Sequence, residues 1–579
     1  MDPRSEKFKF SYTAAFFALM IAWGLIIWFI NPVGEFMIND DWSFVKALEI
    51  LSLEGGIPAT GWGQGGPSLL THLLWGWMFT KLFGFSVTVL RISVLVMAVL
   101  GSIGLLELLK RTGASPFLAF WGAMTLVLNP LFLSQSFTFM TDVTLATLMI
   151  FALLLISQGL ESGRRSLVGL GLFFTLAALL TRQIAIAIPI GLIITLLINP
   201  KTRSSNLRPV TFMILFISIL PWLCFEYTLK KLGSTSLTDH EVIHAILNDP
   251  LQLGLHGYVD LLFGRVVIGI GYISVIVSPI VALSFKELFA RRIFRSYFLV
   301  TTAVFLVVEA GIVLDLVHLP VAFYRNVIFN FGIGPILLKD TYILHLARAW
   351  AIPVSLYYCL AYWAFLNTGA LALLAYSYIS GIFNQPVRGR SCLGASVTSM
   401  LGFVTAMVYV GIILLTGYHD RYLIPVCILL IMWLVSVIGS ATPLISFRVG
   451  MAIPAFVCMA VIGIFSVAGT RDFMATKTAL KQAQDYLVQD CHVSPCAIDG
   501  GFEFNGFNCY KKGFVQKPGL SWWWVEKENY LLALGPLPGY TVDTIFPFKR
   551  IFPHDGAVYV LKNASPPSPL HAELTIHTR

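Results

Sequence analysis

The chain has 579 residues, of which 57% are hydrophobic and only 12% charged, and its mean hydropathy is +0.79. Such a composition excludes an ordinary soluble domain and makes lipid the solvent for most of the chain. The formal charge of +9 falls mainly in short connections on one side of the expected membrane, so it explains orientation and removes the case for nucleic-acid binding.

Thirteen apolar segments of membrane-spanning length are predicted, at 12–31, 88–109, 117–133, 139–157, 167–181, 184–198, 209–226, 259–283, 297–319, 351–380, 393–415, 422–439 and 449–467. With the N-terminus in the cytoplasm, the basic residues gather in inner connections: Arg4, Lys7 and Lys9, then Lys110 and Arg111, Arg164 and Arg165, and Lys201, Arg203 and Arg208. Arg291, Arg292, Arg295, Arg388, Arg390 and Arg448 continue the pattern. The odd number of spans places the tail outside a plasma (inner) membrane. The first apolar run lacks a small-residue cleavage site and reads as a retained anchor.

The connection 32–87 is too long for a hairpin. Phe44, Leu48 and Leu51 recur at helical spacing opposite Lys46, Glu49 and Ser52, and after the Gly61–Gly66 turn Pro67 suits the start of a second amphiphilic helix toward Phe83. Both are expected to lie along the interface, because a full crossing would invert every basic loop downstream. Two further outer connections, 227–258 and 320–350, are polar enough to enclose a site. The division expected is a transmembrane domain, 1–469, and an extracytoplasmic α+β domain, 470–579, with a helix through Lys477, Gln484 and Leu487 and a strand at 557–561. Cys224, Cys359, Cys392, Cys427 and Cys458 fall in or beside apolar helices and read as small buried hydrophobes, whereas Cys491, Cys496 and Cys509 allow one disulfide in the exported tail and leave one thiol over.

The polar residues at outer helix ends carry the chemistry. Asp40 and Asp41 follow the first span, where a carboxylate can orient or deprotonate an attacking hydroxyl; the plain alternative is a helix cap for the segment beginning at Trp42. Asp142 at the entrance to the fourth span reads equally as a second acidic wall or a cap. Arg182 is the one charged residue between Leu167 and Ile198, suited to a phosphate or to pairing with Asp142. In Tyr418-His419-Asp420-Arg421-Tyr422 the arginine can clamp a phosphate while Tyr418, His419 and Tyr422, together with Trp42 and His345, contact donor or acceptor. Arg265, Arg325, Lys339, His345 and Arg348 are weaker additions. Acidic and basic groups at one membrane face suit sugar transfer from a lipid-linked phosphate, with the basic groups stabilising the charge of the departing phosphate.

Four blocks in order carry a resemblance: Asn39-Asp40-Asp41-Trp42; Leu82-Phe83-Gly84 with Arg91; Thr141-Asp142 and Leu180-Thr181-Arg182-Gln183; and Asp420-Arg421-Tyr422-Leu423-Ile424-Pro425. Over about residues 10–467 the chain resembles the polyprenyl-phosphate-dependent glycosyltransferases of the protein mannosyltransferase and aminoarabinose transferase superfamily, which have a GT-C fold. The resemblance implies an inverting transferase that moves a sugar from a polyprenyl-phosphate donor to an envelope glycan, lipid or protein at the outer face. It implies Asp41, or else Asp40, as base, Asp142 as second acidic position, Arg421 as phosphate ligand, and Arg182 where relatives often carry lysine. No cofactor follows from it, and a divalent metal is left open because members differ. The competing readings are a polytopic transporter and an envelope glycan polymerase or ligase. Outer-end placement of the charges and the lack of an internal inverted repeat weigh against transport.

Overall fold

The structure is a computed structural model that describes residues 10–54, 69–231, 248–314, 326–329, 332–346, 354–383, 397–417, 419–441, 449–552 and 554–564. Each of the thirteen apolar segments overlaps a helix, but among the described residues ten are long and apolar enough to cross a membrane singly, or eleven if one bent pair counts as a span. By that measure the described residues support ten or eleven of the thirteen expected full crossings. The bent pair is α5 (Pro116–Val127) and α6 (Pro130–Ser136), which meet at 64°. Pro130 cannot donate to the α5 ladder, and Asn129 restarts the chain by accepting from the Leu131 N–H at 2.9 Å. Two other segments are short. The helix α8 (Arg165–Leu179) has 15 residues, a rise of about 22 Å against a hydrocarbon core of about 30 Å, and the helical run Gln183–Ile198, which ends in α9 (Ala187–Ile198), is similarly brief.

The remaining N-terminal helices are α1 (Tyr12–Ile30), α2 (Asp41–Glu54), α3 (Leu70–Phe83), α4 (Val87–Arg111) and α7 (Thr141–Ser162). Serine caps start several: Ser11 accepts from Ala14, Ser86 from Val89 and Ser115 from Leu118. The two helices expected in the first long connection are α2 and α3; Pro67 and the Gly61–Gly66 turn lie outside the described residues. At the centre of the bundle, α7 packs against α4 and α8. A Cβ on Gly101 would stand 2.4 Å from Thr147 Oγ1, so a glycine there lets α4 and α7 approach closely while Thr147 bonds the Met97 carbonyl at 2.8 Å.

The helix expected to end at 467 runs on as Val449–Asp485, so the last apolar segment and the first helix of the tail are one rod. Beyond it lie β3 (Ile498–Asp499), the helix Phe502–Cys509, β4 (Tyr530–Ala533), β5 (Tyr540–Phe548) and β6 (Gly556–Asn563). The sheet order is β3-β4-β6-β5, parallel only at β3–β4. The strand expected at 557–561 sits within β6. Leu480, Ala483 and Leu487 of the long helix bury the sheet residues Ile498, Leu532, Val558 and Val560. Described parts of the 320–350 connection form a hairpin, β1 (Ile328–Phe329) with β2 (Gly332–Ile333), and a turn that joins the tail: the Phe502 N–H donates to the Leu337 carbonyl, and the Leu534 N–H donates to Asp340. Cys496 and Cys509 form the disulfide, with Cα atoms 5.7 Å apart, and Cys491 is free. Cys427 and Cys458 are buried as expected, whereas Cys224 and Cys359 are exposed on their helices; Cys392 lies outside the described residues.

Candidate active site at the helix ends

Four charged side chains from distant parts of the sequence converge. Asp40 ends the turn before α2, Asp142 lies in the first turn of α7, Arg182 lies between α8 and the run Gln183–Ile198, and Arg421 starts the helical stretch that continues as Ile424–Ala441. Arg421 Nη2 donates to Asp40 Oδ2 at 2.7 Å, and Arg182 Nη1 to Asp142 Oδ1 at 2.6 Å. Arg421 Nε stands 3.8 Å from Asp142 Oδ2, which links the two pairs into one chain of alternating charge. The Tyr422 ring is shared: the Arg182 guanidinium lies 4.3 Å and that of Arg421 5.6 Å from its centroid.

The backbone is fixed around this chain. Asp420 accepts from Val327 and Ile328 N–H groups at 2.8–3.0 Å and from the Arg421 N–H at 2.8 Å, which anchors the turn that aims Arg421. Arg91, fully buried in α4, donates to the carbonyls of Pro32, Gly34 and Phe36. Glu35 answers by accepting from the Val87 and Thr88 N–H groups, so the strand leading to Asp40 is clipped to the start of α4. His72 is also buried; burial pushes its imidazole down to about 4, and it bonds the Phe139 carbonyl at 3.1 Å and Thr144 at 3.0 Å. A neutral ring that donates from Nε2 to the carbonyl and accepts at Nδ1 satisfies both contacts.

Within the acidic pair, the two carboxylates sit in different surroundings. Asp41 is 0% exposed and its two oxygens accept from the Ile38 N–H at 2.6 Å and the Phe139 N–H at 3.2 Å. Burial pushes its carboxyl up to about 7, against those two bonds and the charge of Arg91. Asp41 therefore staples the loop to the α6–α7 connection, with its bonds going to Ile38 and Phe139 and not to the first amides of α2 as a cap would, while Asp40 keeps a quarter of its side chain exposed beside Arg421. Asp142 makes no side-chain cap to its own helix and engages the arginines instead.

Other expected contacts lie elsewhere. Trp42 packs into the tail against Phe502, Tyr510 and Trp524, because the ring is too large to leave exposed where the tail covers α2. Trp523 and Trp524 are likewise core, while Trp522 is 44% exposed. Lys339 is paired with Glu528 at 2.7 Å inside the tail, so it is not placed to meet a phosphate among the arginines. His345 is exposed at the end of the same turn, with φ 50. His419 is exposed with its ring 5.6 Å from that of Tyr422, at the edge of the cluster. Arg265 donates to the Leu414 carbonyl at 2.7 Å and borders Gly417, adjoining the site without joining its ion chain. Tyr418, Arg325 and Arg348 lie outside the described residues. Among the described residues, no group of three or more His, Cys, Asp and Glu converges as metal ligands would.

Sequence reasoning missed Glu503, which accepts from the Asn39 N–H at 3.0 Å across 464 positions, and gave Asp420 no role of its own. No local signal points to the first; the second stands in a quoted block and was overshadowed by Arg421.

Comparison with known proteins adds a partial match. No curated protein sequence matches. Among solved structures, ArnT from Cupriavidus metallidurans is similar in its apo state at 14% identity and a TM-score of 0.35, covering 84% of this chain and 82% of ArnT. The same protein bound to undecaprenyl phosphate gives 14% and 0.35, covering 81% and 80%. Likeness at that level transfers no residue correspondence. Residues 70–225, which hold Arg91, Asp142 and Arg182, match the family described as dolichyl-phosphate-mannose-protein mannosyltransferase, so the resemblance read from the motifs is borne out over that segment.

Proposed function

We propose that the protein is a GT-C-type inverting glycosyltransferase that moves a sugar from a polyprenyl-phosphate donor to an envelope glycan, lipid or protein acceptor at the outer face of the membrane. The observation that carries this reading is the unmet bonding capacity of the ion chain: Arg421 Nε and Nη1 and Asp142 Oδ2 are buried and make no hydrogen bond. Buried charged groups are normally saturated, so a guanidinium with two free donors facing this way suits an anionic ligand. The family match over 70–225 supports the same chemistry.

In this mechanism Arg421 turns its free N–H groups to the donor phosphate, and Arg182 adds charge from across Tyr422. As the bond from the anomeric carbon to the phosphate oxygen breaks, the two guanidiniums stabilise the charge collecting on the phosphate. Asp40, the accessible carboxylate, orients the acceptor hydroxyl and takes its proton as the oxygen attacks the opposite face of the sugar, which inverts the anomeric centre. Asp142 holds both arginines in register, and Asp41 holds the loop.

Purified protein reconstituted with a panel of polyprenyl-phosphate sugars and envelope acceptors tests the reading, with mass spectrometry to identify any sugar moved. Transfer of one sugar with inversion is expected; ligand-stimulated flux without any transfer product contradicts the proposal. The orientation is tested separately by reporter fusions at Asn206 and Lys562, which should report opposite compartments, with Asn206 cytoplasmic.

A further inference from the structure

We infer that Glu503, supplied by the tail, is a positioning residue for the loop that presents Asp40. This rests on the role proposed above for Asp40. Asn39, the residue before it, has φ 57, in the left-handed region that asparagine enters more readily than other side-chain-bearing residues but that still competes with its extended and right-handed states. Its N–H donates to Glu503 Oε1 at 3.0 Å, and the same oxygen accepts from Lys477 Nζ at 2.6 Å. Both partners of that ion pair are nearly buried, with side-chain exposures of 4% and 10%.

A cavity of about 320 Å³ lies between the loop and the tail helix, bordered by Phe36, Met37, Val45, Lys477, Glu503 and Phe507. On the far side of Asn39 the next residue's carboxylate must meet Arg421 at 2.7 Å. Rotation of the Asn39 backbone out of its left-handed state would swing Asp40 away from Arg421. The helix Phe502–Cys509 that carries Glu503 is itself held, at one end by the disulfide to Cys496 and at the other by Phe502 against Trp42. The tail is thereby a structural part of the site, reached through that backbone hydrogen bond and through the packing of Trp42 against Phe502, Tyr510 and Trp524.

The test compares two double variants of the full chain, Lys477→Met with Glu503→Gln and Lys477→Met with Glu503→Met. Both remove the ion pair without stranding a buried charge, and only the first keeps an oxygen for the Asn39 N–H. Amide hydrogen exchange of the peptide spanning Asn39, turnover with the polyprenyl-phosphate sugar identified by the panel, and affinity for undecaprenyl phosphate are measured on each. The methionine pair should exchange Asn39 at least ten-fold faster and turn over about ten-fold or more slowly, with unchanged affinity; the glutamine pair should stay near the wild type in all three. Equal behaviour of the two pairs, in exchange and in turnover, overturns the inference. The failures are separable: full turnover by Asp40→Asn removes the role of Asp40 while exchange still judges the tether, and loss of turnover by Asp40→Asn with none in the methionine pair removes the positioning role alone.

Discussion

Two of the protein's buried clusters of mixed charge differ in how their cations are finished. Where the 320–350 connection meets the tail, Lys339 Nζ meets both oxygens of Glu528 at 2.9 and 2.7 Å and the Gly519 carbonyl at 3.0 Å, and the Tyr540 hydroxyl donates to Glu528 as well. An ammonium has three N–H groups, and all three are used. At the helix ends, Arg421 has five N–H groups, of which those on Nε and Nη1 make no hydrogen bond despite burial. A cation with every donor spent holds a fold together, even where the neighbouring Asp499 keeps both oxygens without a hydrogen bond; a cation with donors in reserve can take up an anion. Charge and burial look alike in the two places, so the accounting of hydrogen bonds is what separates structure from chemistry.

That contrast breaks if variants in the two clusters behave alike. Asp40→Asn should give the largest effect, a loss of about 10²–10⁴-fold in turnover as general-base assistance goes, measured in the reconstituted transfer assay. Arg421→Ala should lower turnover by about 10²-fold or more, because it removes the phosphate ligand and leaves Asp40 and Asp142 short of a partner. Lys339→Met should instead leave turnover at 20 °C unchanged and lower the stability of the tail by about 3 kcal/mol, read in thermal or chemical unfolding, because it strands Glu528.

The last effect concerns Asp41 and is read from a pH profile. Its carboxyl is raised to about 7 in the folded protein against an ordinary value of 3.8, so between those values the native state holds the extra proton. Stability from this group is therefore present at low pH and lost as the pH climbs from about 4 through 7, at up to about 1.4 kcal/mol per pH unit. Asp41→Asn should flatten that part of the stability profile while retaining measurable turnover. Loss of turnover as complete as in Asp40→Asn would return the catalytic role to Asp41.

What the sequence made legible follows from what is local. Hydropathy located every apolar helix, because a run of apolar residues carries its own signal, and it placed Asp40, Asp142, Arg182 and Arg421 at helix ends. Its thirteen crossings exceed the ten or eleven that helix length supports among the described residues, because apolarity is blind to the bend at Asn129–Pro130 and to the shortness of Arg165–Leu179. Pairings were out of reach. Nothing near Lys339 announces Glu528, 189 positions later, and nothing near Asn39 announces Glu503. The choice within Asp40 and Asp41 was closed for a related reason: adjacent residues of one type diverge only when the fold turns one toward the Phe139 amide and the other toward Arg421. Trp42 read as a ligand contact because an aromatic beside an acidic pair looks the same whether it faces a sugar or a protein core.

The central claim is a division of labour, in which arginine holds the donor phosphate and Asp40 serves the acceptor. It is tested most directly by titrating undecaprenyl phosphate against purified wild type, Arg421→Ala and Asp40→Asn in one lipid mixture. The account predicts that Arg421→Ala weakens binding by at least ten-fold and that Asp40→Asn binds as tightly as the wild type or more so, since it removes the negative charge that competes with the phosphate for Arg421. Unchanged affinity in Arg421→Ala, or a loss confined to Asp40→Asn, would contradict it.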